Sequence, residues 1–227
     1  MSRANADEDP LDLAYECPSV NFYEIVDASR FEFEEAMRIY IESFPENERR
    51  PVATIKEMLK SGKSRLMVGE REKEIVFMAL LYRIKGTSFL LGDYLATAED
   101  YRSTGIGRAF LRHILDEMKD LQCNLFLIEI ENPYLNEDET KMRRLRFYKR
   151  LGMKELMGVR YFLPPFEGFE PIEMILLVFS VENCNHLAGE TVRDLVIHMF
   201  GELYDRHGND DLLMSTLRSI SDLVRLD

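Results

Sequence analysis

Between Leu95 and Leu111 the chain reads L-A-T-A-E-D-Y-R-S-T-G-I-G-R-A-F-L, and no other stretch constrains the fold as much. A strand ends, a loop of small residues follows, and a helix begins at the second glycine. Such a passage leaves backbone N–H groups pointing outward at a helix N-terminus, where unpaired donors and the helix dipole favour an anion such as a pyrophosphate. Gly105 and Gly107 permit close approach and unusual dihedrals, while Arg102 and Arg108 add charge-assisted donors. The Gly-Lys-Ser/Thr of a P-loop is missing, as is the three-glycine spacing of a dinucleotide fold. On spacing alone, a strand–helix turn without a ligand is the competing reading.

The flanking periodicities predict a mixed domain. Asn21–Val26 alternates like a short strand, and Phe31–Ser43 carries Phe33, Ala36, Met37 and Tyr40 at helical spacing behind Ser29 as a cap. Pro51 opens a second helix running to about Lys60. Arg65–Gly69, Glu74–Arg83 and Ser88–Ala96 read as strands joined by antiparallel turns. Helix Ile106–Asp120, strand Asn124–Glu131, helix Glu137–Leu151 and strand Ile172–Val181 follow, with the proline-rich Tyr161–Pro171 read as a loop. That order predicts an α+β domain over residues 21–181, preceded by a flexible acidic arm at 1–20. Thr191–Tyr204 and Asp211–Leu226 predict two amphipathic helices in an extension at 182–227.

Charge and composition narrow the function classes. No apolar run approaches the roughly 20 residues of a membrane span, and the N-terminus lacks the basic and apolar regions of a signal peptide. Cys17, Cys123 and Cys184 lie far apart, which favours a reducing, cytoplasmic setting and argues against a zinc site; the four histidines show no metal spacing either. The net charge of −12 is repelled by phosphate backbones, so no nucleic-acid partner is expected. An acidic surface suits a cationic substrate, though it also serves solubility alone. The six bases of Lys141–Arg150 read as a solvated helix face.

Within the strand Asn124–Glu131, alternation puts Leu125, Leu127, Glu129 and Glu131 on one face. Either carboxylate is a candidate base, the other a holder of a cation; the competing reading is a solvated strand end. Asp93 and Glu46–Glu48 are weaker candidates for meeting an amine.

Two motifs together carry a family resemblance: Tyr101 followed by Arg102-Ser103-Thr104-Gly105-Ile106-Gly107, and Phe147-Tyr148-Lys149-Arg150-Leu151-Gly152-Met153 about forty residues on. Over residues 21–181 the chain resembles the GNAT family of N-acetyltransferases. The resemblance implies a mixed, mostly antiparallel sheet flanked by helices, with its fourth and fifth strands splayed. It implies acetyl-CoA as co-substrate, with the pantetheine arm on the backbone of Leu95, Ala96 and Thr97. The pyrophosphate would rest on Arg102, Ser103, Thr104, Gly105, Ile106, Gly107 and Arg108, and no metal is implied. It further implies direct attack by an amine, with Tyr148 protonating the departing thiolate. One departure is Lys141, which stands where many members carry an asparagine; Asn132 and Asn136 are the available substitutes.

The expected function is therefore acetyl transfer to a primary amine of a small molecule or amino-acid-like substrate. A catalytically silent acyl-CoA sensor or scaffold is the alternative. No membrane partner is expected, and the C-terminal helices are expected to cap the domain, cover the acceptor pocket or form a homodimer interface.

Overall fold

The structure is a computed structural model that describes residues 19–120, 123–136, 138–165, 170–180, 182 and 184–227. The expected acidic arm (residues 1–18), the first residue of the helix expected at Glu137, the middle of the proline-rich loop and Val181 lie outside the described residues.

The strands are β1 (Asn21–Ile25), β2 (Ser64–Arg71), β3 (Glu74–Arg83), β4 (Phe89–Thr97), β5 (Leu125–Glu131), β6 (Lys154–Glu155), β7 (Tyr161–Leu163), β8 (Ile172–Ser180), β9 (His186–Ala188) and β10 (Leu223–Arg225). The helices are α1 (Phe31–Ser43), α2 (Val52–Lys60), α3 (Ile106–Asp120), α4 (Glu139–Arg150), α5 (Gly189–Tyr204) and α6 (Asp211–Ser219). The main sheet runs β1-β2-β3-β4-β5-β8, with β6 and β7 both pairing along the outer edge of β8. Every pairing is antiparallel except β4 with β5.

Both faces of this sheet are covered, so its central strands are apolar without alternation: Ile75–Tyr82 of β3 is buried throughout. On one face α3 sets Ile106, Phe110, Ile114 and Met118 against Phe77, Phe126 and Ile128, and α4 adds Leu145. On the other, α1 and α2 pack Phe33, Tyr40 and Ile55 onto Leu66, Val68 and Leu80. The C-terminal half of that second face belongs to α5, whose Val192, Leu195, Met199 and Phe200 bury against Phe89, Leu91, Leu125 and Leu127. At about 25 cal/mol per Å² of apolar surface, such a helix is held mainly by what it buries.

Three local expectations need correction. Ser29 does not cap α1; the capping position is Arg30, with no side-chain bond, because Ser29 is drawn back onto Asp27 Oδ1 by its own N–H and hydroxyl. Tyr161–Leu163 is a strand, pairing with Ile172–Met174, too short to register as a period against its three prolines. The last expected helix stops at Ser219, and Leu223–Arg225 pairs with β9 instead. Tertiary pairing wins there over helical spacing: Leu226 bridges Leu156, and Glu155 and Asp227 exchange backbone hydrogen bonds.

Candidate active site

The gap in the sheet comes from one extra residue. Opposite β3, Gly92 aligns with Leu81 and Tyr94 with Leu80, so Asp93 is a bulge. The parallel pairing of β4 with β5 covers Phe89–Gly92 against Leu125–Ile128 and stops at that bulge. Beyond it β4 stays with β3, β5 stays with β8, and a cleft opens between them.

Backbone alternation shows which groups line the cleft. The Ala98 N–H donates to Val76 O, so the N–H and C=O of Ala96 also turn to β3 while those of Leu95 and Thr97 turn away, into the cleft. On β5, Asn132 N–H donates to Glu173 O, which turns the backbone of Glu129 and Glu131 the same way. Exposure agrees: Leu95, Thr97, Glu129 and Glu131 are half-buried, whereas Tyr94, Ala96, Ile128 and Ile130 are buried.

At the cleft's outer end the loop into α3 forms an anion cradle. Ser103 and Gly105 lie at φ +65° and +89°, the second demanding glycine in practice. The N–H groups of Ser103, Thr104, Gly105, Ile106 and Gly107 find no backbone acceptor among the described residues. Arg102 braces the loop by donating to Thr97 O at 3.3 Å, and Thr104 donates to Tyr101 O at 2.6 Å. Gly107 serves packing: a Cβ there would stand 3.2 Å from the Phe147 ring, so the two sequence motifs meet through it. These features fit a pyrophosphate.

A buried polar cluster lies at the inner end. Arg50, in the loop between α1 and α2, pairs with Asp93 at 3.3 Å, both side chains nearly inaccessible. It also donates to Leu203 O at 2.9 Å and lies 5.0 Å over the Tyr204 ring. Burial opposes the guanidinium charge, but Asp93 outweighs it and holds Arg50 protonated. Tyr40 bonds Arg50 O and Tyr94 bonds Glu48 O, fixing the loop over the bulge. From Tyr204 the rings continue edge-on through Phe200 to Tyr161.

Glu129 sits beside this cluster. Burial pushes its carboxyl up to about 7; the Tyr161 hydroxyl opposes, Asp93 adds to the rise and Arg50 opposes it. Glu129 Oε1 and Tyr161 Oη are both sealed from solvent, and neither completes a hydrogen bond of normal geometry. Glu131 differs, because it closes an ion pair with Lys141.

Helix α4 begins at Asp138, whose carboxylate accepts from the Thr140 and Lys141 amides. Lys141, Arg144 and Tyr148 follow at one-turn intervals on its cleft side. Burial raises the Tyr148 hydroxyl above its ordinary value, with Arg144 pulling the other way, so the phenol keeps its proton at neutrality. The Asn132 side chain is occupied, donating to Glu173 and accepting from Tyr134 N–H, while Asn136 accepts from the Asp138 N–H through its backbone carbonyl alone.

The structure thus brings Glu129, Glu131 and the backbone of Leu95 and Thr97 to one cleft and turns Ala96 aside, while Tyr148 packs beside Phe147 against the core on the α3 face of the sheet. Sequence reasoning missed Arg50, Tyr161 and Tyr204. Only Arg50 carried a local signal, as a base within a proline-broken loop.

Residues 62–155 match the family model for the acetyltransferase (GNAT) domain. A comparison with curated protein sequences found no match. Among solved structures, one assigned as a GNAT-family acetyltransferase from Bacteroides thetaiotaomicron is 22% identical, with a TM-score of 0.67, covering 81% of this chain and 97% of that one. Another assigned to the family, from Desulfovibrio desulfuricans, is 16% identical with a TM-score of 0.53, covering 72% and 99%. The ribosomal-protein-S18-alanine N-acetyltransferase of Escherichia coli is 16% identical with a TM-score of 0.51, covering 73% and 98%. Residues 62–155 thus match the GNAT acetyltransferase domain, and the fold around them is the one that these structures share. No helix among the described residues is long and apolar enough to cross a membrane.

Proposed function

We propose that the protein is an acetyl-CoA-dependent N-acetyltransferase acting on a primary amine of a small, amino-acid-like molecule. The observation that carries this is the cleft itself. A cradle of amides without a backbone acceptor stands at its outer end, a carboxyl pushed up to about 7 lies beside the polar cluster at its inner end, and α4 carries a phenol that keeps its proton.

The pyrophosphate of acetyl-CoA would rest on Ser103–Gly107, flanked by Arg102 and Arg108, with the pantetheine arm on the cleft-facing backbone of Leu95 and Thr97. The acceptor's ammonium first gives one proton to solvent; the neutral amine nitrogen then attacks the thioester carbonyl carbon, and a β4 N–H in the cleft stabilises the oxyanion. As the N–C bond forms, Glu129 accepts a proton from nitrogen; as the C–S bond breaks, sulfur takes the proton of Tyr148. The products are the amide and free coenzyme A thiol. The proton held on Glu129 then replaces the one Tyr148 gave up. Of the two candidate carboxylates, Glu129 is the base, because Glu131 is engaged in an ion pair with Lys141.

The test is thiol release from acetyl-CoA across amines, polyamines, amino acids and short peptides, with Tyr148→Phe alongside. Turnover of one class, lowered at least tenfold in the variant, is expected. Tight acetyl-CoA binding without turnover of any acceptor would replace this reading with that of a silent sensor.

A further inference from the structure

Two opposite charges close enough to influence one another make no contact with each other. On α4, Arg144 is half-buried and makes no hydrogen bond or ion pair among the described residues. Its neighbours one turn away are committed: Lys141 to Glu131, Tyr148 to the reacting end of the cleft. Opposite, Glu48 is held above β4 by the Tyr94 hydroxyl on its carbonyl at 2.7 Å, and its carboxylate also lacks a hydrogen bond or ion pair. The two sense one another nonetheless: burial and Glu131 raise the Glu48 carboxyl, while Arg144 and Lys141 pull it down.

Half-buried, the Arg144 guanidinium and the Glu48 carboxylate each give up part of their hydration, and no described residue offers either one a hydrogen bond. Their complement is a molecule bearing both charges. Arg144 is badly placed to serve the pyrophosphate instead: Phe147 is the α4 residue that meets Gly107 at the cradle. Glu48 belongs to the α1–α2 connection, the wall opposite α3 and α4.

We propose that the acceptor is an amine that also carries a carboxylate, with Arg144 gripping the carboxylate and Glu48 facing the ammonium. This rests on the acetyl-transfer reading above. A planar guanidinium binds a carboxylate through two parallel hydrogen bonds, which reads geometry as well as charge. A protein N-terminus carries no free carboxylate beside its amine, so the free amino-acid class is favoured over a polypeptide.

The experiment uses matched ligands on the full chain saturated with coenzyme A: lysine against cadaverine, and phenylalanine against phenethylamine, by calorimetry and by thiol release from acetyl-CoA. In at least one pair the carboxylate-bearing member is expected to bind about tenfold tighter or more. Arg144→Gln is expected to collapse that ratio by raising KM for the acceptor, with KM for acetyl-CoA unmoved. Equal binding within both pairs, or binding of neither member, overturns the inference. So does an Arg144→Gln effect confined to acetyl-CoA, which would assign the side chain to the coenzyme. Turnover of amines lacking a carboxylate would sink this inference and leave acetyl transfer standing. Carboxylate-dependent binding without any thiol release would do the reverse.

Discussion

Glu129 and Asp93 are neighbouring acids in one cluster with opposite roles, and the difference is their partners. Asp93 meets Arg50 directly, so removing its charge strands a buried guanidinium. Asp93→Ala should cost about 3–5 kcal/mol in denaturant unfolding, typical of a broken buried pair. Glu129 has no full charge in contact, and its raised carboxyl has a consequence for stability. Because the folded state holds this proton more tightly than the unfolded chain, Glu129 favours folding at low pH. That contribution is lost as pH rises from about 4.5 towards 7, amounting to about 3 kcal/mol. The Glu129→Gln variant should show a flatter melting temperature across that window. An unchanged slope would mean that Glu129 titrates normally.

Among the elements, the loop into α3 was the most legible in the sequence, because its requirements are local. A positive φ at Gly105 calls for glycine whatever the rest of the chain does, whereas Gly107 answers to the Phe147 ring. Gly105→Ala should therefore cost about 1–2 kcal/mol and weaken acetyl-CoA binding. Gly107→Ala asks only a few tenths of an ångström of Phe147, so calorimetry should show the smaller loss there. The bulge at Asp93 was illegible for the opposite reason. One extra residue shifts register against β3 without disturbing the apolar pattern, and only the pairing reveals it. Alternation did place Glu129 and Glu131 together, but nothing local told them apart. Their difference lies in Lys141, ten residues beyond Glu131 in the chain, and in Tyr161 on another strand.

For the whole molecule, the C-terminal segment is structural as well as terminal. Helix α5 covers Phe89, Leu91, Leu125 and Leu127, and its last turn supplies Leu203 O and Tyr204 to Arg50. The sequence showed that helix as an amphipathic stretch, yet Leu203 and Arg50 are 153 positions apart, a separation no periodicity can bridge. Deleting residues 189–227 should expose that apolar floor and leave the protein insoluble, read as loss of soluble yield. Tyr204→Ala, which keeps the helix, should instead lower the melting temperature modestly and loosen Arg50.

The most direct test of the central claim is the pH dependence of kcat/KM for thiol release, wild type beside Glu129→Gln. If Glu129 is the base, the wild-type rate climbs with pH through an inflection near 7, and the variant loses both that limb and about a hundredfold or more in rate. An inflection that survives in Glu129→Gln at comparable rate would contradict the account and move the base elsewhere.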